Sequence, residues 1–352
     1  MSAPMLRVAT IPLVSLRDEI SRNVTLVTDW LALAAREQIG LAVFPECCLV
    51  GGADLATLTR RELEALAEQR DGPAISAVAD AVARTGVAAG VGLIERAQDG
   101  RLFNSYVICM PDGQRHCHRK LYAFEHPRIG CGDRFTVFDT AWGVRIGILI
   151  GADNYLIENV RMIALMGATL LVAPHRRYGM SRANNGRLQA VSTKRGLRGD
   201  PARRAASANR SATTSAPTSA GVGGQCDSAG WLRRWLPARA GDNGMFVAFS
   251  DGVEFDNDLE HPAETAMILD PSGRILARNI AGSSAIVSAE VDAALTDQSI
   301  GRQWLRGRRP DLYGPTTQAS NQASKIAGTP SVVRAGSVAL SFAVVGRERL
   351  MR

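Results

Sequence analysis

Strand-like apolar runs alternate with stretches of helical periodicity over most of this chain, and that alternation restricts it to an α/β architecture. Residues 6–14 (LRVATIPLV) read as a strand, and 21–40 (SRNVTLVTDWLALAAREQIG) as a helix with Ser21 as its N-cap and Gly40 as its stop. LAVFPE (41–46) follows as a short, continuously apolar strand that ends on a carboxylate. Helices are expected over 59–70 and 73–86 and a strand over 87–96. A hairpin is expected over 101–122, turning at Pro111, Asp112 and Gly113. GVRIGILIGAD (143–153) is another buried strand, 158–167 a helix, 168–174 a strand, 231–244 a helix and 245–252 a strand. A second hairpin, over 265–278, turns at Asp270, Pro271, Ser272 and Gly273. The sum is one mixed α/β domain with helices on the outer faces of its sheets.

The net charge of +7 raises the question of a nucleic-acid partner. Residues 176–230 hold ten Lys and Arg against two Asp and Glu, a charge of +8, which leaves the rest of the chain at −1. That stretch has no Ile, Phe or Trp, Tyr178 is its only aromatic residue, and its larger aliphatics (Leu188, Val191, Leu197, Val222) follow no period. It is expected to be a disordered, low-complexity basic insert in an otherwise near-neutral domain. With Tyr178 alone to stack on bases, it argues against nucleic acid as a partner. No window is apolar enough to span a membrane, and Arg7 interrupts the place where a signal peptide would be apolar, so the expected location is the cytoplasm. Six cysteines, with Cys47 and Cys48 adjacent, form neither a disulfide framework nor a paired zinc motif and are expected to be reduced thiols.

Three strand ends carry the positions of interest: Glu46, Lys120 and residue 151. Active-site groups of α/β folds sit at such ends, although Glu46 and Lys120 taken alone read as ordinary solvated charges. His116 and His118 share one strand face, and without a third ligand this reads as a solvated face rather than a metal site. Asp256, Asn257, Asp258 and Glu260 lack the ligand order of a calcium loop, and no glycine-rich phosphate motif is present. No metal and no cofactor are expected.

FPE (44–46), HRK (118–120), GVRIGILIGAD (143–153) with ENVR (158–161), LLVAP (170–174), ARAGDN (238–243) and AMILDPSGRIL (266–276) resemble, in order and spacing, the motifs of the nitrilase superfamily of carbon–nitrogen hydrolases. The resemblance implies an αββα sandwich over residues 6–313, interrupted by the insert and followed by a C-terminal tail, 314–352, and assembly into homodimers or larger oligomers. It implies hydrolysis of a small nitrile or amide by a Cys nucleophile, with Glu46 as general base, Lys120 as oxyanion stabiliser and Glu125 as a second glutamate. The nucleophile position, however, reads Ile150-Gly151-Ala152-Asp153. Glycine cannot form a thioester, so the chain as written is expected to be inactive. Cys47, Cys48, Cys117 and Cys131 lie nearby in sequence but read as inert thiols rather than replacements. Two other functions stay open, a non-catalytic member that keeps a ligand pocket or a subunit interface, and, more weakly, a nucleic-acid binder. The insert itself reads either as a basic lid or as a stretch in a shifted frame.

Overall fold

The computed structural model describes residues 5–51, 55–176, 228–252, 265–279 and 284–314. A first sheet contains β1 (Leu6–Thr10), β2 (Leu41–Val43), β3 (Ala88–Arg96), β4 (Leu102–Cys109), β5 (Arg115–Arg119) and β13 (Val287–Val291) in the order β13-β1-β2-β3-β4-β5, with the short β6 (Ile129–Gly130) paired to β4. A second contains β7 (Thr136–Asp139), β8 (Arg145–Ile148), β9 (Leu170–His175), β10 (Phe246–Asp251), β11 (Ala266–Leu269) and β12 (Ile275–Asn279) in the order β12-β11-β10-β9-β8-β7. Each sheet has a parallel centre, β1-β2-β3 in one and β8-β9-β10 in the other, flanked by antiparallel strands.

Period-two alternation divides the apolar side chains between layers. In β1 and β2, Val8, Leu41 and Val43 face the second sheet, whereas Ala9, Ala42 and, just past β2, Phe44 face α1 (Ile20–Arg36) and α3 (Pro73–Thr85). In β9 and β10, Leu170, Val172, Phe246 and Ala248 join that intersheet core, and Leu171, Ala173, Val247 and Phe249 pack under α4 (Ile157–Leu165) and α5 (Ser228–Asn243). Strands apolar on both faces are what two covered sheets require. The result is the predicted helix–sheet–sheet–helix sandwich. It is completed by α2 (Arg60–Leu66), α6 (Ala294–Gln298) and α7 (Ile300–Arg306). Residues 309–314 belong to a second unit and contain a short turn of 3-10 helix at Pro310–Leu312, with Arg309 paired to Asp311.

Several boundaries differ from expectation. Helix α1 begins at Ile20, one residue before the expected cap Ser21, and ends at Arg36 rather than at Gly40. The helix expected over 59–70 closes at Leu66, because Glu68 leaves it to bridge to Glu95 on β3. A strand not expected from the sequence, β13, pairs antiparallel with β1. Most of the expected insert, the tail from residue 315 and the Asp256–Glu260 stretch lie outside the described residues. At the insert's edges, Arg176 is buried and donates to the Gly51 carbonyl, and α5 starts at Ser228. Among the described residues no helix is long and apolar enough to cross a membrane.

Candidate active site

The parallel strands β2, β8 and β9 deliver their carboxyl ends to one place, which is where Glu46, Gly151 and His175 lie. Past β2 the Phe44 carbonyl accepts from the buried Tyr106 hydroxyl (2.7 Å), and Glu46 N–H donates to the His175 carbonyl (3.3 Å). The chain then bends through Cys47, at φ +52°, and runs directly over Gly92 of β3. A Cβ on Gly92 would come within 2.2 Å of the Cys47 nitrogen, so only glycine lets this backbone pass.

Lys120 follows β5 and donates through its backbone N–H to the Asn104 carbonyl (2.8 Å). Its ammonium donates to Glu46 Oε1 (2.7 Å) and to Glu125 Oε1. Asn104 of β4 donates to the same two oxygens, at 2.6 Å and 3.0 Å, and accepts from the Cys47 thiol (3.5 Å). The structure therefore brings Glu46, Lys120 and Glu125 together. None is a solvated charge: their exposures are 1%, 2% and 6%. That corrects the expectation drawn from strand-end residues alone, since charges are tolerated in an interior when they compensate one another. Asn104 is the member that the sequence reading missed.

Burial opposes charge on Lys120, but Glu46 and Glu125 outweigh it, and the lysine pKa lies above its ordinary value. Glu125 is pushed up by burial and by Glu46, against the pull of Lys120. One ammonium thus faces two carboxylates that share its donors.

Gly151 opens a short 3-10 turn, Gly151–Tyr155, with φ +48°. A Cβ placed on it would lie 2.5 Å from Glu46 Oε2 and 3.1 Å from Lys120 Nζ. The side chain of any other residue here would point into the carboxylate–ammonium pair. Asp153 holds the turn in that orientation. Its carboxylate accepts from the N–H groups of Ile150 (3.2 Å), Leu121 (3.1 Å) and Tyr122 (2.9 Å), which ties the turn to the segment just beyond Lys120.

The neighbouring thiols are poorly suited to replace a nucleophile. Cys47 and Cys48 are fully buried; burial drives Cys47 far above the usual thiol range and Cys48 up to about 12. Cys117 is likewise pushed up to about 12 by burial and by Glu95, and Cys131 is exposed. The His116–His118 face is not solvated as expected. His116 stacks on Phe138 with ring centroids 3.6 Å apart, and His118 is buried between Thr136 (3.1 Å) and Asp153 (3.6 Å), because β7 packs beside β5. Two further residues absent from the sequence reading stand beside the site, His175 and Asp251, their side chains 3.4 Å apart.

A carbon-nitrogen hydrolase family model matches residues 7–300. Among curated proteins, the chain is 36% identical over 176 residues to an (R)-stereoselective amidase of a Pseudomonas species, covering 46% of this chain and 60% of that protein. It is 34% identical over 139 residues to a hydrolase encoded in the pqqF 5' region of Pseudomonas protegens, covering 38% of this chain and 47% of that protein. The chain thus spans about half of the curated relatives it matches. Among solved structures, an amidase from Nesterenkonia sp. superposes with a TM-score of 0.60 at 16% identity, covering 90% of this chain and 98% of that one. A Saccharomyces cerevisiae member of branch 10 of the nitrilase superfamily gives 0.62 at 16% identity, covering 88% and 97%. At such identities the structures bear on the fold alone, and the fold they share is the two-sheet sandwich described above.

Proposed function

The chain belongs to the carbon–nitrogen hydrolase family, and on that premise we propose that Glu46, Lys120 and Glu125 form a small-amide hydrolase site whose nucleophile position is occupied by Gly151. The observation that carries this reading is the direction of the missing side chain: a Cβ at residue 151 would meet Glu46 Oε2 and Lys120 Nζ and nothing else as near. A thiol there would pass its proton to Glu46 while sulfur bonds to the amide carbon. The resulting oxyanion would fall to the Lys120 ammonium, and the departing ammonia would recover the proton from Glu46. Water would then repeat the sequence on the thioester. Glu125 and Asn104 hold Lys120 and Glu46 in register for both halves.

Gly151 offers no atom for the first bond, so the chain as it stands halts before the acyl-enzyme. Loss of the nucleophile from a covalent mechanism costs several orders of magnitude in rate. Amides are favoured over nitriles as the substrate class because the relatives with named activity are amidases, and a mutant of the Nesterenkonia amidase with alanine for its cysteine was solved in complex with butyramide. The test is ammonia release from butyramide by the purified chain. The reading expects none above background, and sustained turnover would overturn the vacant-nucleophile assignment. A second reading, a non-catalytic relative that keeps the polar frame as structure, is favoured by the proximity of Glu46 Oε2 to Gly151, which leaves the nucleophile's space partly filled.

A further inference from the structure

Tyr155, His175 and Asp251 form an ordered polar row that the Glu46 site does not use. His175 ends β9 and Asp251 ends β10, and the two are register partners in a parallel pair, so they occupy the same carboxyl-end rim as Gly151. Asp251 Oδ1 lies 3.4 Å from His175 Nδ1, and on the far side of the ring Nε2 is 3.3 Å from the Tyr155 hydroxyl. Phe249 packs against the imidazole with centroids 5.7 Å apart. Exposure rises along the row, from 0% at Asp251 through 8% at His175 to 46% at Tyr155. Asp251 stands at ion-pair distance from one ring nitrogen without a hydrogen bond to it, and the other ring nitrogen is the atom that faces the hydroxyl of a half-exposed tyrosine, so the imidazole is placed to take the proton of that hydroxyl as it attacks a carbonyl.

We propose that Tyr155 is an acyl-accepting nucleophile toward aryl esters, with His175 as its base and the Asp251 carboxylate beside the imidazole to favour the charge it gains on taking the proton. The phenol oxygen bonds to the acyl carbon as its proton passes to His175 Nε2. The bond from that carbon to the aryl oxygen breaks, and the departing aryloxide takes the proton from Nε2. Water, deprotonated by the same nitrogen, then adds to the acyl-tyrosine carbon, and the Tyr155 oxygen leaves and regains its proton. The nucleophile sets the substrate class. A phenol with a pKa of about 10 is a far better leaving group than an amine or an aliphatic alkoxide, so the tetrahedral intermediate expels tyrosine unless its competitor is also a phenol. Amides, the substrates proposed for the Glu46 site, are therefore excluded from this row.

The experiment is incubation of the full chain with p-nitrophenyl acetate, followed by peptide mapping of acetyl groups and by the rate of nitrophenol release. The expected result is acetylation concentrated on Tyr155, lost in Tyr155→Phe and slowed about 100-fold in His175→Gln. Acetylation of Tyr155 no greater than that of Tyr122, another exposed tyrosine, overturns the proposal, as does a rate unchanged in His175→Gln. Should His175→Gln fail to fold, Tyr155→Phe decides the matter, because it removes one atom from a half-exposed ring: unchanged nitrophenol release in that variant overturns the proposal. Ammonia is not read in this assay, so its outcome is separate from that of the amide site.

Discussion

Gly151 and Glu46 stand so close that a Cβ on the glycine would lie 2.5 Å from carboxylate oxygen Oε2. Contacts this short are not sustained, so any residue larger than glycine must push the Glu46 carboxylate aside or shift its own turn. The backbone adds a second penalty, since φ +48° is a left-handed conformation that costs an L residue about 1–2 kcal/mol. Gly151→Ala is accordingly expected to destabilise the fold by about 1–3 kcal/mol, measured by equilibrium urea denaturation. A variant as stable as the parent would show that the space at residue 151 is open.

Lys120 neutralises two buried carboxylates, and its removal strands both. Lys120→Met is expected to cost about 3–5 kcal/mol, because breaking a buried ion pair leaves uncompensated charge in the interior. Adding Glu125→Gln to Lys120→Met should return part of that loss by deleting one of the stranded charges. Denaturation of the single and double variants checks this, and a loss under about 1 kcal/mol for Lys120→Met, the scale of a surface pair, would contradict the buried geometry.

Glu125 titrates in a way opposite to most paired carboxylates. Burial and Glu46 raise its pKa in the fold above the ordinary 4.5, so the folded state binds this proton more tightly than the unfolded chain does. The stabilisation is complete below the unfolded value and fades as pH rises through the folded one. Glu125→Gln, which does not titrate, should flatten the decline in stability with rising pH above the ordinary glutamate pKa. Urea midpoints across that window provide the measurement, and identical slopes in parent and variant would rule out a raised Glu125.

Much of the architecture was legible because both faces of most strands are apolar and the helices between them are periodic. Alternation such as Leu170 and Val172 against Leu171 and Ala173 needs no partner to be read. Glu46 and the glycine at 151 could be singled out because each ends an apolar run, whereas Lys120 follows the polar strand Arg115–Arg119 and stood out through its place in the HRK motif. What could not be read depends on contacts between distant segments. Asn104 sits inside β4, and its part emerges only where that strand passes residues 46 and 125. His118 looked exposed because β7, four residues without a clear apolar pattern, was not recognised as the strand beside it. The row from Tyr155 to Asp251 was invisible for the same reason, since parallel pairing of β9 and β10 joins residues separated by the whole basic stretch.

The central claim is that residue 151 is the nucleophile position of a site otherwise assembled for carbon–nitrogen hydrolysis, and Gly151→Cys tests it most directly. The variant and the parent would be incubated with a short amide, ammonia release followed and covalent adducts located by intact-mass and peptide mass spectrometry. The account predicts ammonia release by the variant at least about 1,000-fold above the parent, with an acyl group carried on the introduced thiol and none on any other cysteine. A folded variant whose thiol stays unmodified and which releases no ammonia would show that Glu46, Lys120 and Glu125 do not converge on residue 151 as a catalytic site.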